Sequence, residues 1–421
     1  MRARGRWSHA WRALRHPNFR LFFFGQSVSV IGTWLTQVAR GWLVYELTHS
    51  ALLLGVVSFA GQIVSFLTGP FAGVWVERLD RRKLMIWTQA IGGLQSLFLA
   101  VVTLTHVVTL WQIIVLSIVA GMVGALSVPA RLSFVALMVE DRNDVDNGVA
   151  LVTSMNNVAR LVGPAIAGLV IAAWGEGWCF LLDAISFLPV IASLTLMRMK
   201  IPATRRGSRG MFEEIREGWN YVSTFLPVRT LLIFLALISL MGNSYAVLLP
   251  IFAAQVLHGG PTTLGCLTSA SGIGALISTF LLALRKSVVG LTRMVQIAGG
   301  LLGLALILFG GSHLLWLSFP LMILIGFGLM QSVTGINTII QSLVPEDMRG
   351  RALSYYTMAF LGAAPFGNLL ASALAERFGA NTTVGLTGAA CLAGSIWLAL
   401  QLPKVTAAMR PIYVEKGLLE C

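Results

Sequence analysis

The sequence predicts an all-α membrane protein in which twelve transmembrane helices form two six-helix halves. Of its 421 residues, 56% are hydrophobic and only 11% are charged, whereas a soluble domain carries about 25% charged residues. Three long stretches contain no Asp, Glu, Lys or Arg, and the longest polar segment, 199–229, lies midway along the chain. This composition excludes a water-soluble enzyme, a secreted domain and a disordered chain.

The charge-free stretches determine the number of spans. They cover residues 84–130, 230–284 and 294–345 and contain 47, 55 and 52 residues. A spanning helix needs about 20 residues, so each stretch holds two helices and a turn. Single spans fit the remaining hydrophobic segments, which are 19–46, 52–76, 148–174, 177–198, 352–375 and 381–402. The total is twelve spans.

The polar segments define the domain boundaries and the orientation. We expect a basic N-terminus at 1–18, a first half at 19–198, a cytoplasmic linker at 199–229, a second half at 230–403 and a cytoplasmic tail at 404–421. With the N-terminus inside, about 27 of the 30 Lys and Arg residues fall on the cytoplasmic side, as the positive-inside rule requires. The sequence therefore predicts a multi-pass inner-membrane protein with both termini cytoplasmic, and the net charge of +13 calls for no nucleic-acid partner.

A charged loop joins the second and third predicted spans. One interpretation is a loop that only fixes the topology through its positive charge. The other is a conformational latch that closes against the start of the eleventh span. The acidic residues of the loop favour this interpretation, because a loop that only fixes the topology needs no carboxylates. The candidate latch residues are Gly73, Glu77, Arg78, Asp80, Arg81, Arg82 and, near the cytoplasmic end of the fourth span, Arg131.

A second motif lies in the fifth predicted span. Gly163, Pro164 and Gly168 form a face of small residues, and the proline disrupts the helical hydrogen bonds. Such a face is either an ordinary packing seam between helices or a part of the transport machinery.

These two motifs resemble known ones. The loop resembles the signature of the major facilitator superfamily, G-x-x-x-D-R-x-G-R-[KR], with Glu77 in place of the usual Asp and Asp80 in place of the usual Gly. The fifth-span motif is similar to an element of the superfamily's export branch. With segments such as FLLDAISFL and VPEDMRGRALSYYTMAFLGAAPFGNLLA, the chain resembles bacterial exporters of enterobactin-type siderophores and macrolides as far as about residue 403. The resemblance implies the major facilitator fold and export of small amphipathic compounds by alternating access.

Three charged residues lie well inside predicted spans. A charge there costs free energy, so each one is expected to have a charged partner or a functional role. Arg40 and Asp183 lie at similar depths, so we expect them to pair. Asp183 is then the leading proton carrier if transport is proton-coupled, although a static ion pair explains the same pattern. Arg160 lies near the middle of the fifth span, where it either packs between helices or faces an anionic substrate or a carboxylate.

Uncharged polar residues recur along the first span. Gln26, Thr33 and Gln37 form one stripe with Ser29 and Arg40, and we expect this stripe to face the transport pathway. The sequence contains no phosphate-binding GxxxxGK[ST] loop, no HExxH and no Cys/His metal spacing. We therefore expect no enzymatic activity, no cofactor and no metal ion.

The expected partners are a small-molecule substrate, the lipid bilayer and protons as the coupling ion, and we expect a monomer. Two alternatives to an exporter stay open at this point. One is a lysolipid flippase or a solute importer with the same fold. The other is a membrane receptor that transports nothing, against which the polar stripe and the loop motif argue.

Overall fold

The computed structural model describes residues 11–139, 141–197, 211–285 and 287–416. Within these ranges the chain is almost entirely helical and contains no β-strand. A short 3₁₀ turn, Arg12–Arg15, precedes the long helices, and the linker contains a separate helix, Met211–Thr224. The twelve long helices are α1 (Pro17–Thr48), α2 (Ala51–Arg78), α3 (Arg81–Leu104), α4 (Leu110–Met138), α5 (Arg142–Trp174), α6 (Glu176–Leu196), α7 (Leu226–Val256), α8 (Pro261–Ala283), α9 (Leu291–Gly310), α10 (Leu315–Leu343), α11 (Glu346–Phe378) and α12 (Ala380–Glu415).

Eleven of these helices are long and apolar enough to cross a membrane, judged on length and composition among the described residues. The remaining one, α1, has the necessary length of 32 residues, but its hydropathy is lowered by polar side chains such as Gln26, Gln37 and Arg40. The prediction of an all-α membrane protein is confirmed. α1 coincides with the first predicted span at 19–46, and the polar stripe that lies on it lowers its hydropathy.

The seventh span is not a continuous α-helix. Two π-helical turns, Ile238–Gly242 and Phe252–Val256, interrupt it. Pro250 lies just before the second turn and has no N–H to donate, which loosens the local hydrogen bonding. At the first turn the backbone of α11 comes very close, because a side chain at Gly367 would overlap the carbonyl of Leu240.

The described chain divides into two compact units. The first contains residues 11–48, 60–197 and 260–265, and the second contains 49–59, 211–259 and 266–416. These units follow the predicted halves except at two short segments. The start of α2 belongs to the second unit, and the start of α8 belongs to the first.

In the first unit, α1 and α3 both pack against α6. Glycines allow the close approach of α1 and α6, because a methyl group at Gly25 would lie 2.9 Å from the carbonyl oxygen of Pro189. Near the N-terminus, Arg12 and His16 contact Asp144 in the first turn of α5. The buried apolar core of this unit includes Phe19, Phe22, Phe134, Met138, Val152, Val190 and Leu194.

In the second unit, the linker helix docks onto the start of α11. Glu217 forms an ion pair with Arg351 at 2.5 Å, and the rings of Trp219 and Tyr355 lie 5.9 Å apart. Burial, together with the nearby Asp347 carboxylate, raises the pKa of Tyr221. The linker is therefore attached to the second unit through several side chains.

The last helix is longer than the hydrophobic span that the sequence predicts. It continues through Pro403 to Glu415 instead of ending near residue 402. Proline is tolerated here because the extension is packed, and Lys416 then donates a hydrogen bond to the carbonyl of Ser342 at 2.6 Å. Its buried side chains are Val405, Met409 and Tyr413.

Candidate functional site

A carboxylate lies in the interior of the first unit. Asp183 of α6 is only 2% exposed. Its Oδ2 accepts hydrogen bonds from Ser96 of α3 at 2.7 Å and from Thr36 of α1 at 2.8 Å. Ser186 Oγ lies 3.5 Å from its Oδ1, and Gly32 leaves space for that oxygen. One carboxylate thus joins three helices and has its acceptor oxygens satisfied by hydroxyl groups.

Arg40, the expected partner of Asp183, lies nearby but is directed elsewhere. Its Nη1 lies 3.4 Å from Ser117 Oγ of α4, and its Nε has no hydrogen-bond partner among the described residues. The two charges interact electrostatically, but the ion pairs of the described residues do not include a direct one between them. Thr36 and Ser96 donate to Oδ2 of this carboxylate instead. The expected direct pair is replaced by an indirect interaction.

One part of the polar stripe of α1 is buried, and another part is exposed. Gln26 is buried and accepts a hydrogen bond from Gln89 of α3 at 3.3 Å, and Ser29 is buried as well. Thr33 and Gln37, farther along the helix, are exposed. Gln26 thus contacts α3, whereas Gln37 is uncovered. The structure therefore splits the predicted pathway residues into a buried and an exposed pair.

Arg160 lies beside the exposed part of this stripe. Its guanidinium carbon is 5.9 Å from the centroid of the Trp34 ring, which is within the range of a cation–π contact. Gly163, one turn farther along α5, brings the two helices together, because a methyl group there would lie 2.5 Å from Trp34 Cβ. Thr33 and Gln37 lie one residue before and one turn after Trp34 on α1. We group these three residues with Arg160 of α5 and call them the Arg160 surface.

The other small residues of the fifth-span motif contact the start of α8. A methyl group at Gly168 would lie 2.8 Å from the carbonyl oxygen of Pro261, and one at Gly265 would lie 2.5 Å from the carbonyl oxygen of Pro164. The two backbones therefore touch at this point, and no side chain fits between them. The motif packs on both of its sides, with Gly163 against α1 and Gly168 against residues 261–265.

In the charged loop, Asp80 and Arg82 have defined structural roles. Asp80 is the N-cap of α3 and accepts hydrogen bonds from the backbone N–H groups of Arg82 and Lys83 at 2.9 and 3.1 Å. The side chain of Arg82 donates from Nε to the carbonyl of Leu194 and from Nη2 to that of Thr195, both at 2.7 Å. These carbonyls lie at the C-terminal end of α6, where a cation is favoured. Asp80 therefore caps α3 through its side chain, and the glycine of the family pattern has no side chain to form these hydrogen bonds.

The remaining latch candidates are only partly described. Gly73, Glu77 and Arg78 belong to α2, and their side chains lie outside the described part of the chain. Arg81 and Arg131 are half-buried, and the Nε of Arg81 has no hydrogen-bond partner among the described residues. Closure of this cluster against the start of α11 stays a prediction.

Several polar residues of the site are missing from the sequence-based candidates. Ser96, Thr36, Ser186 and Gln89 are short or uncharged, and serine and threonine in membrane helices commonly bond to their own backbone. The spacing of these four residues in the sequence therefore does not distinguish them from the other serine, threonine and glutamine residues of the spans. A similar pair lies in the second unit, where Ser278 donates to Gln331 at 3.0 Å in the buried interior.

Metal binding finds no support in this part of the chain. The described residues contain no group of three or more His, Cys, Asp or Glu side chains that could hold a metal ion. The arrangement offers instead a buried carboxylate held by hydroxyl groups and an exposed arginine next to an aromatic ring.

The chain resembles known proteins over most of its length. It is similar to the staphyloferrin A transporter of Staphylococcus aureus, with 27% identity over 373 residues that cover 88% of this chain and 92% of the relative. Macrolide efflux protein A of Streptococcus pyogenes shares 24% identity, covering 89% of this chain and 94% of the relative. The enterobactin exporter EntS of Salmonella typhi also shares 24%, covering 86% and 90%.

A solved structure supports the fold. The crystal structure of the POT family transporter PepTSo superimposes with a TM-score of 0.73 at 11% identity, covering 93% of this chain and 99% of that one. At this identity the likeness concerns the fold alone, and it confirms the major facilitator fold. Residues 8–417 match the family of transmembrane secretion effectors. This chain therefore belongs to the transmembrane secretion effector family of the major facilitator superfamily.

Proposed function

We propose that this chain is a secondary transporter that exports small amphipathic organic compounds, of the drug or siderophore kind, across the inner membrane. It works as a monomer by alternating access and is coupled to protons. Relatives described as a macrolide efflux protein and an enterobactin exporter support the export direction and the substrate class.

The observation that carries this proposal is the Arg160 surface. Thr33 and Gln37 are exposed on a helix of the membrane domain, and polar groups there are costly when they face lipid. This surface is therefore expected to border a water-filled pathway. It combines hydrogen-bonding groups with an aromatic ring, and this combination suits a solute that is polar on one side and apolar on the other.

For the coupling ion, we propose Asp183 as the proton carrier. It is the only acidic residue well inside a predicted span. The hydroxyls of Ser96 and Thr36 donate to the ionised carboxylate and can rotate to accept from the protonated one. The interaction with Arg40 would couple the charge of Asp183 to the position of α1.

In proteoliposomes, Asp183→Asn should abolish substrate-driven proton movement, read with an internal pH dye, while Asp183→Glu retains part of it. Unchanged proton movement in Asp183→Asn would exclude Asp183 as the carrier.

Two further groups belong to the proposed machinery. Gly163, Pro164 and Gly168 form the seam on which α5 changes its packing during export. The loop that contains Glu77 and Arg81, with Arg131, forms a latch that is closed when the cytoplasmic side is closed.

Export is tested in a bacterial host that lacks its own major exporters. In a panel of anionic, neutral and cationic amphipathic drugs, expression should lower the accumulation of at least one compound and raise resistance to it, and a protonophore should cancel the effect. Gln37→Ala should weaken the effect, whereas Gly124→Ala should not, because a methyl group at Gly124 meets nothing within 4 Å. Increased accumulation would indicate an importer, and unchanged accumulation of every compound tested would contradict export.

The orientation is tested separately with reporter fusions. Fusions at residues 107, 260 and 313 should report an external location, and fusions at 80, 143, 210, 288, 347 and 415 should report a cytoplasmic one. Two or more reversed sites would contradict the proposed topology with both termini inside.

A further inference from the structure

The charges inside the membrane domain do not balance. Away from their ends, the predicted spans contain Arg40, Arg160 and Asp183, which are two cations and one anion, whereas Arg20, Glu46 and Arg198 lie at span ends. The second half supplies no other anion, because residues 230–345, 352–375 and 381–402 contain no Asp or Glu. One arginine is therefore left without a carboxylate at membrane depth.

The contacts identify Arg160 as the arginine in excess. The carboxylate of Asp183 is occupied by hydroxyl groups and interacts electrostatically with Arg40. Arg160 forms no ion pair and no hydrogen bond with another described side chain, and its contact is the face of the Trp34 ring. It lies 14 residues before the end of α5 at Trp174, about 21 Å along the helix at 1.5 Å per residue.

The geometry leaves the guanidinium ready for a ligand. A cation–π contact is an attraction between the charge and the ring and uses no specific hydrogen bond, so the N–H donors of the guanidinium are available to a ligand. Those donors form a planar fork that matches a carboxylate or a phosphate. The side chain is half-buried, and Thr33 and Gln37 beside it are exposed, so the site is open to a solute.

We propose that Arg160 binds an anionic oxygen group of the transported compound, while the Trp34 ring packs against the apolar part of the same molecule. The substrates of the exporter are then organic anions with an aromatic or apolar body. That the bound anion is a transported substrate rests on the proposed function. The preference for anions is a property of the Arg160 surface itself.

The test is a comparison of matched ligands on the full-length protein. Purified protein in phosphatidylcholine nanodiscs is titrated calorimetrically with 1-naphthoate and with 1-naphthamide, which have the same ring and differ in charge. We expect naphthoate to bind about tenfold more tightly, because the charge-assisted fork needs the anion. Arg160→Gln should remove this preference, and Arg160→Lys should keep part of it. Equal affinities in the wild type, or an unchanged preference in Arg160→Gln, would overturn the proposal.

Two controls distinguish substrate binding from a structural role of Arg160 and from lipid binding. If Arg160 is a structural residue, Arg160→Gln will lower the melting temperature clearly, and the proposal fails; we expect no decrease, because the substitution removes an unbalanced charge. If the natural anion is a lipid headgroup, phosphatidylglycerol in the nanodiscs will abolish naphthoate binding, which would also overturn the substrate assignment. We expect naphthoate binding to persist there.

The outcome is independent of the export assay. Binding is measured at equilibrium and without a gradient, so selective binding with no export in cells would contradict the proposed function and leave the anion site standing. Export of neutral and cationic compounds together with unselective binding would contradict the anion site and leave the proposed export function standing.

Discussion

Ser96 donates a hydrogen bond to Oδ2 of Asp183 at 2.7 Å, and this contact joins α3 to α6 inside the first unit. Thr36 reaches the same oxygen from α1. The carboxylate is therefore an anchor for three helices as well as the proposed proton carrier. Both roles require that its hydroxyl partners stay in place.

Removal of one partner should destabilise the protein measurably. A hydrogen bond to a charged group contributes about 1.5–3 kcal/mol, so we expect Ser96→Ala to lower the free energy of unfolding by about 1.5 kcal/mol. Thermal unfolding of the purified protein in detergent measures this change. Ser127→Ala is the control, because Ser127 bonds only to its own helix at 3.4 Å. Equal effects of the two substitutions would contradict the role of Ser96.

A second prediction concerns Asp80, which is both a latch candidate and the N-cap of α3. Asn retains the capping oxygen and removes the charge, whereas Ala removes both. If Asp80 acts as a cap, Asp80→Asn should keep stability and export, and Asp80→Ala should cost about 1 kcal/mol. Melting temperatures and export rates of the two variants measure this. Loss of export in Asp80→Asn at unchanged stability would instead assign the residue to the latch through its charge.

The sequence predicted the helices well and their lateral contacts poorly. Charge-free stretches show where spans lie because a bilayer excludes charge, whatever the neighbouring helices are. Arg40 and Asp183 show the limit of this reasoning, since equal depth says nothing about which side of each helix a residue occupies. Thr36 and Ser96 donate to the carboxylate instead, and these contacts depend on how three helices pack together.

The same limit explains the end of the last helix and the polar stripe. Hydropathy ends the span near residue 402, but buried side chains such as Met409 keep α12 helical beyond it. On α1, Gln26 and Gln37 share one face in the sequence pattern, but Gln26 is buried and bonded to Gln89 of α3, whereas Gln37 is exposed. Packing between helices supplies this information, and periodicity within one helix does not.

A third prediction concerns the backbone contact of Gly168 with Pro261. A methyl group at Gly168 would lie 2.8 Å from a backbone oxygen, which cannot rotate away as a side chain can. We expect Gly168→Ala to destabilise the protein by about 1–3 kcal/mol through overpacking and Gly168→Leu to abolish export. Gly124→Ala is the matched control in another helix of the same unit, since it meets no atom within 4 Å. Wild-type stability and export in Gly168→Leu would show that this seam is not closely packed.

The last prediction concerns the two ends of α2. At its N-terminus, Glu376 of α11 accepts hydrogen bonds from the Leu52 N–H at 3.0 Å and from Ser50 Oγ at 3.1 Å. An acid at this position satisfies a free N–H group and the positive end of the helix dipole. At the opposite end of α2, Glu77 is the predicted latch against the start of the same helix, α11. Under alternating access, a contact that exists in only one state stabilises that state.

The two substitutions should therefore act in opposite directions. Under the proposed orientation with both termini inside, Glu376→Gln should weaken an outer contact and increase the outward-open population, whereas Glu77→Gln should increase the inward-open population and reduce export. Cysteine pairs placed across the cytoplasmic and the outer gap, read by crosslinking in membranes, measure both shifts, and Glu415→Gln at the end of α12 serves as a control acid. If Glu77→Gln leaves crosslinking and export unchanged, the charged loop is only a topology signal. If both variants shift the populations in the same direction, α2 does not alternate between contacts at its two ends.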